Sequence, residues 1–302
     1  MPDWNSLSNE IRASGSTYDL LRRKYLKSLY DVTGRNTIIY YSGWLQKPDP
    51  RLIPVLGIND IDKNAFMTSI HELDRSKGLD LILHTPGGDG AAAESLVDYL
   101  RQMFGMDIRG IVPQLAMSAG TMIALSCKSI VMGKQSSLGP IDPQLRGLPA
   151  HGVIEEFRQA FEEVKLDPSK IPIWQARIAQ FPPAFIGECQ KAIDWSNEMV
   201  KEWLSTGMFG EESKSDEEGV RFRISNIVTE LGSHALTKSH SRHTSSQRCR
   251  DIGLKIEMME DKQVLQEAVL TLHHITMHTL ADTPAIKIVE NQNGKAFVLT
   301  IT

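Results

Sequence analysis

Leu81-Ile82-Leu83-His84-Thr85-Pro86-Gly87-Gly88 and Ala116-Met117-Ser118-Ala119-Gly120-Thr121 decide the reading of this chain. An apolar run ends in paired glycines, and about thirty residues later a second apolar run ends in a serine set among small residues. A serine acyl-transfer site needs both parts. Glycine lets backbone N–H groups approach a developing oxyanion because no Cβ stands in the way. Ser118 opens a predicted helix, Ser118 to Cys127, which puts its oxygen at the positive end of the helix dipole.

Around these stretches strands and helices alternate. Asn36–Ser42 is β-branched and aromatic, a first strand. A helix is predicted over Asn59–Lys77, capped by Asn59 or Asp60 and ended near Gly78. Strand Asp80–His84, helix Ala91–Met103, strand Ile108–Val112, the Ser118 helix and strand Ser129–Met132 follow. Such units imply a parallel sheet with its sites where the strands end. From Gly152 the texture turns helical, with amphipathic segments over Gly152–Val164 and Pro183–Leu204 and a proline-punctuated link, Pro168–Pro183, between them. The acidic stretch Glu211–Gly219 has the composition of a mobile loop. Helices over Arg221–Leu231 and Asp261–Leu280 precede a hairpin of Ala285–Glu290 and Ala296–Ile301 about Asn293-Gly294. Residues 6–33 carry a helical apolar stripe. The expected organisation is an N-terminal amphipathic helical segment at 1–34 and a catalytic core at 35–150. A helical extension at 151–302, with the acidic loop near 210–219 and the terminal hairpin, packs on that core.

The chain has 302 residues, 41% hydrophobic and 23% charged, with a formal net charge of −4, an ordinary globular balance that gives no reason to expect nucleic acid or an anionic membrane as partner. Arg242, Arg248 and Arg250 form one small basic cluster, read as a solvated face. The three cysteines, Cys127, Cys189 and Cys249, are far apart and fit a reducing compartment. The N-terminus lacks the apolar region of a signal peptide. Gly110 to Cys127 is uncharged and long enough for a hydropathy window to notice, but Pro113, Gln114 and Ser118 divide it into strand, turn and helix.

The two opening stretches, continued by Ser136-Ser137-Leu138-Gly139-Pro140-Ile141-Asp142-Pro143-Gln144, resemble the ClpP/crotonase superfamily. Within it the chain is similar to the serine dehydrogenase proteinase family, a ClpP-like group related to signal peptide peptidases. The resemblance runs from about Asn36 to the Lys287–Asn291 segment. It implies an α/β fold, a ClpP/crotonase-like superhelix of strand–helix units with a parallel sheet, followed by a largely helical C-terminal part. It also implies a serine endopeptidase acting through an acyl-enzyme on peptides or unfolded protein, with no cofactor and no metal. Homo-oligomeric assembly is expected on the same ground, and whether an ATP-dependent unfoldase feeds the site is left open. Relatives often carry a membrane anchor; the absence of one here makes a cytoplasmic protein the expectation. No dinucleotide fingerprint follows a strand, so nothing supports a dehydrogenase.

Ser118 is then the expected nucleophile, with an oxyanion hole from the N–H of Gly88 or Gly87 and that of Ala119. The base is less plain, because the region where ClpP places its histidine holds none. The resembled family uses serine, aspartate and histidine with histidine last. Asp142 fits the middle place, and Thr237-Lys238-Ser239-His240-Ser241-Arg242-His243 supplies His240 first and His243 second, with His234 nearby. A triad depends on geometry and not on chain order. The rival base is Lys170, in the window where signal-peptide-peptidase relatives place a lysine and next to apolar Ile171-Pro172-Ile173-Trp174, which could desolvate it. Lys165 is set among acids. His84 could line the cleft or pack at a strand end. Two other classes stay open: a crotonase-type acyl-CoA enzyme recruiting Glu94 or Glu155, and a non-catalytic scaffold.

Overall fold

Strands Asn36–Ser42 (β1) and Leu79–His84 (β2) are buried along their whole length, so each must be covered on both faces. The computed structural model of the protein describes residues 18–301, apart from the side chains of His234 and Ala235, and it shows how that cover is arranged. Side chains alternate across the sheet. Ile38, Tyr40, Leu81 and Leu83 enter one apolar cluster with the helices Gly90–Phe104 and Ala119–Leu125. Ile39, Tyr41 and Ile82 enter a second cluster with helices α1 (Tyr18–Thr33) and Gln263–Asp282, which pack on each other.

Among the described residues the central sheet has seven strands. β1, β2, Ile108–Val112 (β3) and Ser129–Met132 (β5) are parallel and step outward in chain order, and Ile256–Met258 (β10) adds to β5 in the same sense. Ala285–Asn291 (β11) lies antiparallel on the other side of β1, and Ala296–Thr300 (β12) closes that edge. A small second sheet joins Leu115–Ala116 (β4), Ser137–Leu138 (β6) and Thr244–Ser245 (β9), and Gln144–Leu145 (β7) pairs with Leu148–Pro149 (β8). The expected mixed α/β fold with a mostly parallel sheet is the observed one.

Helix α3 (Gly90–Phe104) illustrates the local logic. Asp89 caps it by accepting from the Ala92 N–H at 2.8 Å, Gly105 stops it at φ 61°, and its buried stripe is Ala92, Ala93, Leu96, Val97, Leu100 and Phe104. Before it, helix α2 spans only Ile61–Ile70; the chain leaves the helix at His71, and Arg75–Lys77 is a separate 3₁₀ turn before Gly78. After Ala119–Leu125 (α4) come α5 (Ala150–Leu166), α6 (Ile171–Ile178), α7 (Phe185–Thr206), α8 (Glu217–Gly232) and α9 (Gln263–Asp282).

Two expectations change. The sheet crosses the boundary expected at residue 150, because the segment 151–302 supplies β10, β11 and β12 to it. Arg22, fully buried in α1, donates to Glu290 of β11 at 2.6 Å, so the two ends of the described chain meet in the interior. The acidic stretch is folded: Glu212–Lys214 is a 3₁₀ turn, Asp216 caps α8, and Glu212 pairs with Arg223 at 2.7 Å and Lys255 at 2.9 Å. Of the helical stripe at 6–33, residues 6–17 lie outside the described residues. No helix among the described residues is long and apolar enough to cross a membrane.

Candidate active site

The site begins where β2 runs out. Thr85 is bridged to Ala116, its N–H donating to Leu115 O at 3.1 Å and its carbonyl accepting from Met117 N at 3.0 Å. The glycine turn is thereby drawn alongside the chain leading to Ser118. Gly87 has φ +96°, and a Cβ there would lie 2.6 Å from both Ser118 Cβ and Met117 O; only glycine allows this approach. On the opposite side Gly88 is bridged to Ile58, whose N–H donates to Gly87 O at 2.7 Å and whose carbonyl accepts from Asp89 N at 2.9 Å. In a parallel bridge of this kind the N–H of Gly88 points away from Ile58. Neither that N–H nor the N–H of Ala119 meets an acceptor among the described residues. The N–H of Gly87 does: it donates to Thr85 Oγ1 at 3.2 Å. Of the two expected glycine donors, then, Gly88 has the available one, and Gly87 serves the close approach.

Ser118 occupies φ 50°, ψ −120°, a region that costs a residue with a Cβ on the order of 1–3 kcal/mol. It precedes α4 as its cap residue and is not part of the helix. The surroundings over-determine it. Thr121 Oγ1 donates toward Ala116 O at 2.7 Å and accepts from Gly139 N at 2.8 Å, tying the serine turn to the segment that carries Asp142. Ile141 is held in turn by the carbonyl of Leu231 on α8 and by the hydroxyl of Ser196 on α7.

Asp142, expected in the middle place of the triad, has a fully buried carboxylate. His240 Nδ1 lies 2.8 Å from its Oδ1, and Gln144 Nε2 donates to its Oδ2 at 2.9 Å. A carboxylate only accepts, so Nδ1 presents a proton to it, and in the neutral form of the ring Nε2 is the nitrogen left to accept. His240 is 30% exposed at the edge of the cleft. The alternative bases go elsewhere. His243 is exposed and lines a separate depression with Arg242 and Arg248. The side chain of His234 lies outside the described residues. Lys170 is 43% exposed, 3.2 Å from Glu163 in the α5–α6 connection, and does not line the cleft. The apolar neighbours expected to desolvate it do not: Ile171 and Ile173 are themselves exposed.

Of the two readings given for His84, cleft lining and strand-end packing, the structure shows the packing. It projects to the other face of the sheet, wholly buried among the rings of Trp44 at 4.4 Å and Tyr41 and His273 at 5.3 Å each. Burial, reinforced by His273, holds its imidazole well below the usual range and therefore neutral. The cysteine thiols are buried, and burial pushes Cys127 and Cys249 up to about 12, which makes them inert as nucleophiles.

Gly88, Ser118, Ala119, Asp142 and His240 line one cleft of about 500 Å³. Its other wall is apolar and comes from α4 and α7, chiefly Met122, Ala192, Trp195 and Met199. Trp195 stands at the rim with its Nε1–H toward Glu94 Oε1 at 3.3 Å. Sequence reasoning did not single out Thr121, Gln144 or Trp195. The first two adjoin residues it did single out. Trp195 carries no local signal, because only the docking of α7 brings it near Ser118.

A family model described as ClpP-like SDH-type serine proteinase matches residues 51–216, a span that holds Gly87, Gly88, Ser118 and Asp142 and ends before His240. Two proteins of Methanocaldococcus jannaschii are also similar. The uncharacterized protein MJ0137 is 39% identical over 98 residues, 32% of this chain and 34% of that protein. The uncharacterized protein MJ1495 is 34% identical over 103 residues, 34% of this chain and 35% of its own length. The aligned stretch thus spans about a third of each relative. The family match takes in more than half of this chain, which belongs to the ClpP-like SDH-type serine proteinase family.

Proposed function

We propose that the protein is a serine endopeptidase that cleaves peptides or unfolded protein segments through an acyl-enzyme on Ser118. The observation that carries this reading is the convergence in one cleft of a strained serine, two N–H groups without acceptors among the described residues, and a buried aspartate bonded to a histidine. Ser118 Oγ attacks the scissile carbonyl while His240 Nε2 takes its proton. The carbonyl oxygen becomes an oxyanion between the N–H groups of Gly88 and Ala119. The tetrahedral adduct collapses, the C–N bond breaks, and His240 returns the proton to the leaving amine. Water then repeats the sequence and frees the acid. Asp142 holds the imidazole tautomer and stabilises the imidazolium.

The lining also separates this reading from an acyl-CoA enzyme with the same oxyanion geometry. A CoA site must hold phosphates, yet no Lys or Arg appears among the described residues lining the cleft, while Asp89 and Asp142 do. A peptide needs no such cations.

A fluorophosphonate probe, followed by mass-spectrometric mapping, tests the proposal. The adduct is expected on Ser118, with Lys170→Ala labelling at a rate within a few-fold of wild type. Folded wild type that never reacts, or that is stabilised against heat by acyl-CoA, would sink it. Gly87→Ala is expected to slow labelling by about 10²–10³-fold, the cost of losing one oxyanion donor, because the new Cβ pushes the serine turn off the glycine turn. A Gly87→Ala protein that labels at the wild-type rate would show that the approach of the two turns is irrelevant to reactivity.

A further inference from the structure

Behind the glycine turn, on the side away from the cleft, lies a buried ion pair that the reaction does not touch. Lys287 of β11 and Asp62 of α2 are both about 1% exposed. The Lys287 ammonium is 2.8 and 3.1 Å from the two oxygens of Asp62 and donates to Gly57 O at 2.7 Å. Asp62 also accepts from the hydroxyl of Tyr40 at 2.7 Å and from the N–H of Asn59 at 3.0 Å.

We propose that Lys287 and Asp62 are positioning residues that hold the oxyanion turn Gly87-Gly88 in register with Ser118, acting through residues 57–59. The pair grips the two residues flanking Ile58: Lys287 takes the carbonyl of Gly57, and Asp62 takes the N–H of Asn59. Ile58, fixed between them, spends both of its backbone groups on the glycine turn, its N–H on Gly87 O and its carbonyl on Asp89 N. The turn needs such an external hold. Gly87 and Gly88 have φ of +96° and +151°, and glycine has the widest choice of backbone conformations. The support is also tight, since a Cβ on Gly57 would sit 3.3 Å from Gly87 O. A misplacement of about 1 Å in a catalytic arrangement costs on the order of 10²-fold in rate. As a source of stability a buried ion pair is weak, because desolvation offsets attraction. Its directional bonds are what an apolar pair could not supply. Strand β11 is thus tied to catalytic geometry although it lies far from the cleft in sequence.

The proposal rests on the reading of Gly88 and Ser118 given above, so the test has one readout that does not need activity. In Lys287→Met and Asp62→Asn, exchange of the Asp89 and Ile58 amide hydrogens is expected to quicken at least tenfold while the β3 amides keep their rates. Fluorophosphonate labelling per folded molecule falls about 10–100-fold, and kcat for a peptide falls with little change in KM. Ile288→Val, a core change in the same strand outside the pair, loses stability without either effect. Where the charge variants do not fold, Tyr40→Phe decides, since it removes one bond to Asp62 and leaves both charges; labelling about 3–10-fold slower is expected. Unchanged Asp89 and Ile58 exchange in a folded pair variant overturns the proposal, whatever the activity of wild type. Where wild type labels, so does unchanged labelling in all folded variants. Wild type that fails to label while the exchange effects appear counts against the peptidase reading and supports the clamp.

Discussion

Ser118→Ala, His240→Ala and the double variant are each expected to lower kcat by about the same factor, on the order of 10⁶, with KM little changed. In the proposed mechanism the three values would agree because nucleophile and base act as one unit: without the base the hydroxyl keeps its proton, and without the hydroxyl the base has nothing to activate. Asp142→Asn is expected to cost less, about 10⁴-fold, and for a reason visible in the cleft. Gln144 donates its amide N–H to Asp142 Oδ2, so the asparagine of that variant is steered to face its carbonyl oxygen toward Gln144 and its amide nitrogen toward His240. That reverses the imidazole tautomer, leaving Nε2 protonated and unable to accept from Ser118. Adding Gln144→Glu to Asp142→Asn should then recover part of the loss, since a carboxylate there attracts the asparagine N–H and frees its oxygen for Nδ1–H. Steady-state hydrolysis of a fluorogenic peptide measures all of these. Losses that multiply in the Ser118/His240 double variant would mean that the two residues do not share one step.

Much of this site is legible before folding, and the reason is local. Gly87, Gly88 and Ser118 announce themselves through backbone demands that only certain residues meet, and β1, β3 and β5 through short segments rich in β-branched and aromatic residues. What escapes local reading is whatever a distant partner decides. The acidic stretch at 211–219 has the composition of a loop, but Lys255 and Arg223 neutralise Glu212 and fold it down. The Pro168–Pro183 link hides helix α6, because Pro172 falls in its first turn, where a missing N–H costs nothing. β10 is three residues long and exists only because β5 offers an edge. The sequence ranks His240 ahead of His243 only on the resemblance; in the fold it is His240 that meets the buried Asp142 carboxylate. Lys170 has apolar neighbours in sequence, yet Ile171 and Ile173 turn outward, and its own side chain stays 43% exposed beside Glu163. His84 lies shortly before the glycine turn, and strand alternation sends it to the opposite face.

That last residue underlies the second large effect, an acid sensitivity of the fold in the window from about pH 6.5 down to 5. His84 is fully buried with neither ring nitrogen hydrogen-bonded among the described residues, and His273, 6% exposed, meets the Tyr41 hydroxyl at 3.0 Å. The groups facing them are the rings of Trp44 and Tyr41 and the neighbouring His274, with no carboxylate in contact with either ring among the described residues. Burial, and then His274, pushes His273 down to about 3, and burial with His273 pushes His84 well below its usual value. Both folded-state values lie below that of an unfolded histidine near 6.5, so the unfolded chain binds the protons first. Stability is therefore fully present above about pH 6.5 and declines as the pH falls toward the folded-state values. For His273 alone the loss between pH 6.5 and 5 is about 2 kcal/mol, and His84 adds to it in the same direction. Carboxylates held below their usual range, such as Asp107 and Glu212, lose their contribution lower still, below about pH 5, so the histidines dominate this window. Urea unfolding at about pH 7.5 and about pH 5 measures the difference. His84→Phe keeps the ring stack and forfeits no hydrogen bond, so it should flatten the slope while matching or exceeding wild-type stability at the acid end. Equal slopes in wild type and His84→Phe would show that the cluster is hydrated or opens readily, and that the strand leading into the oxyanion turn is less securely buried than its packing implies.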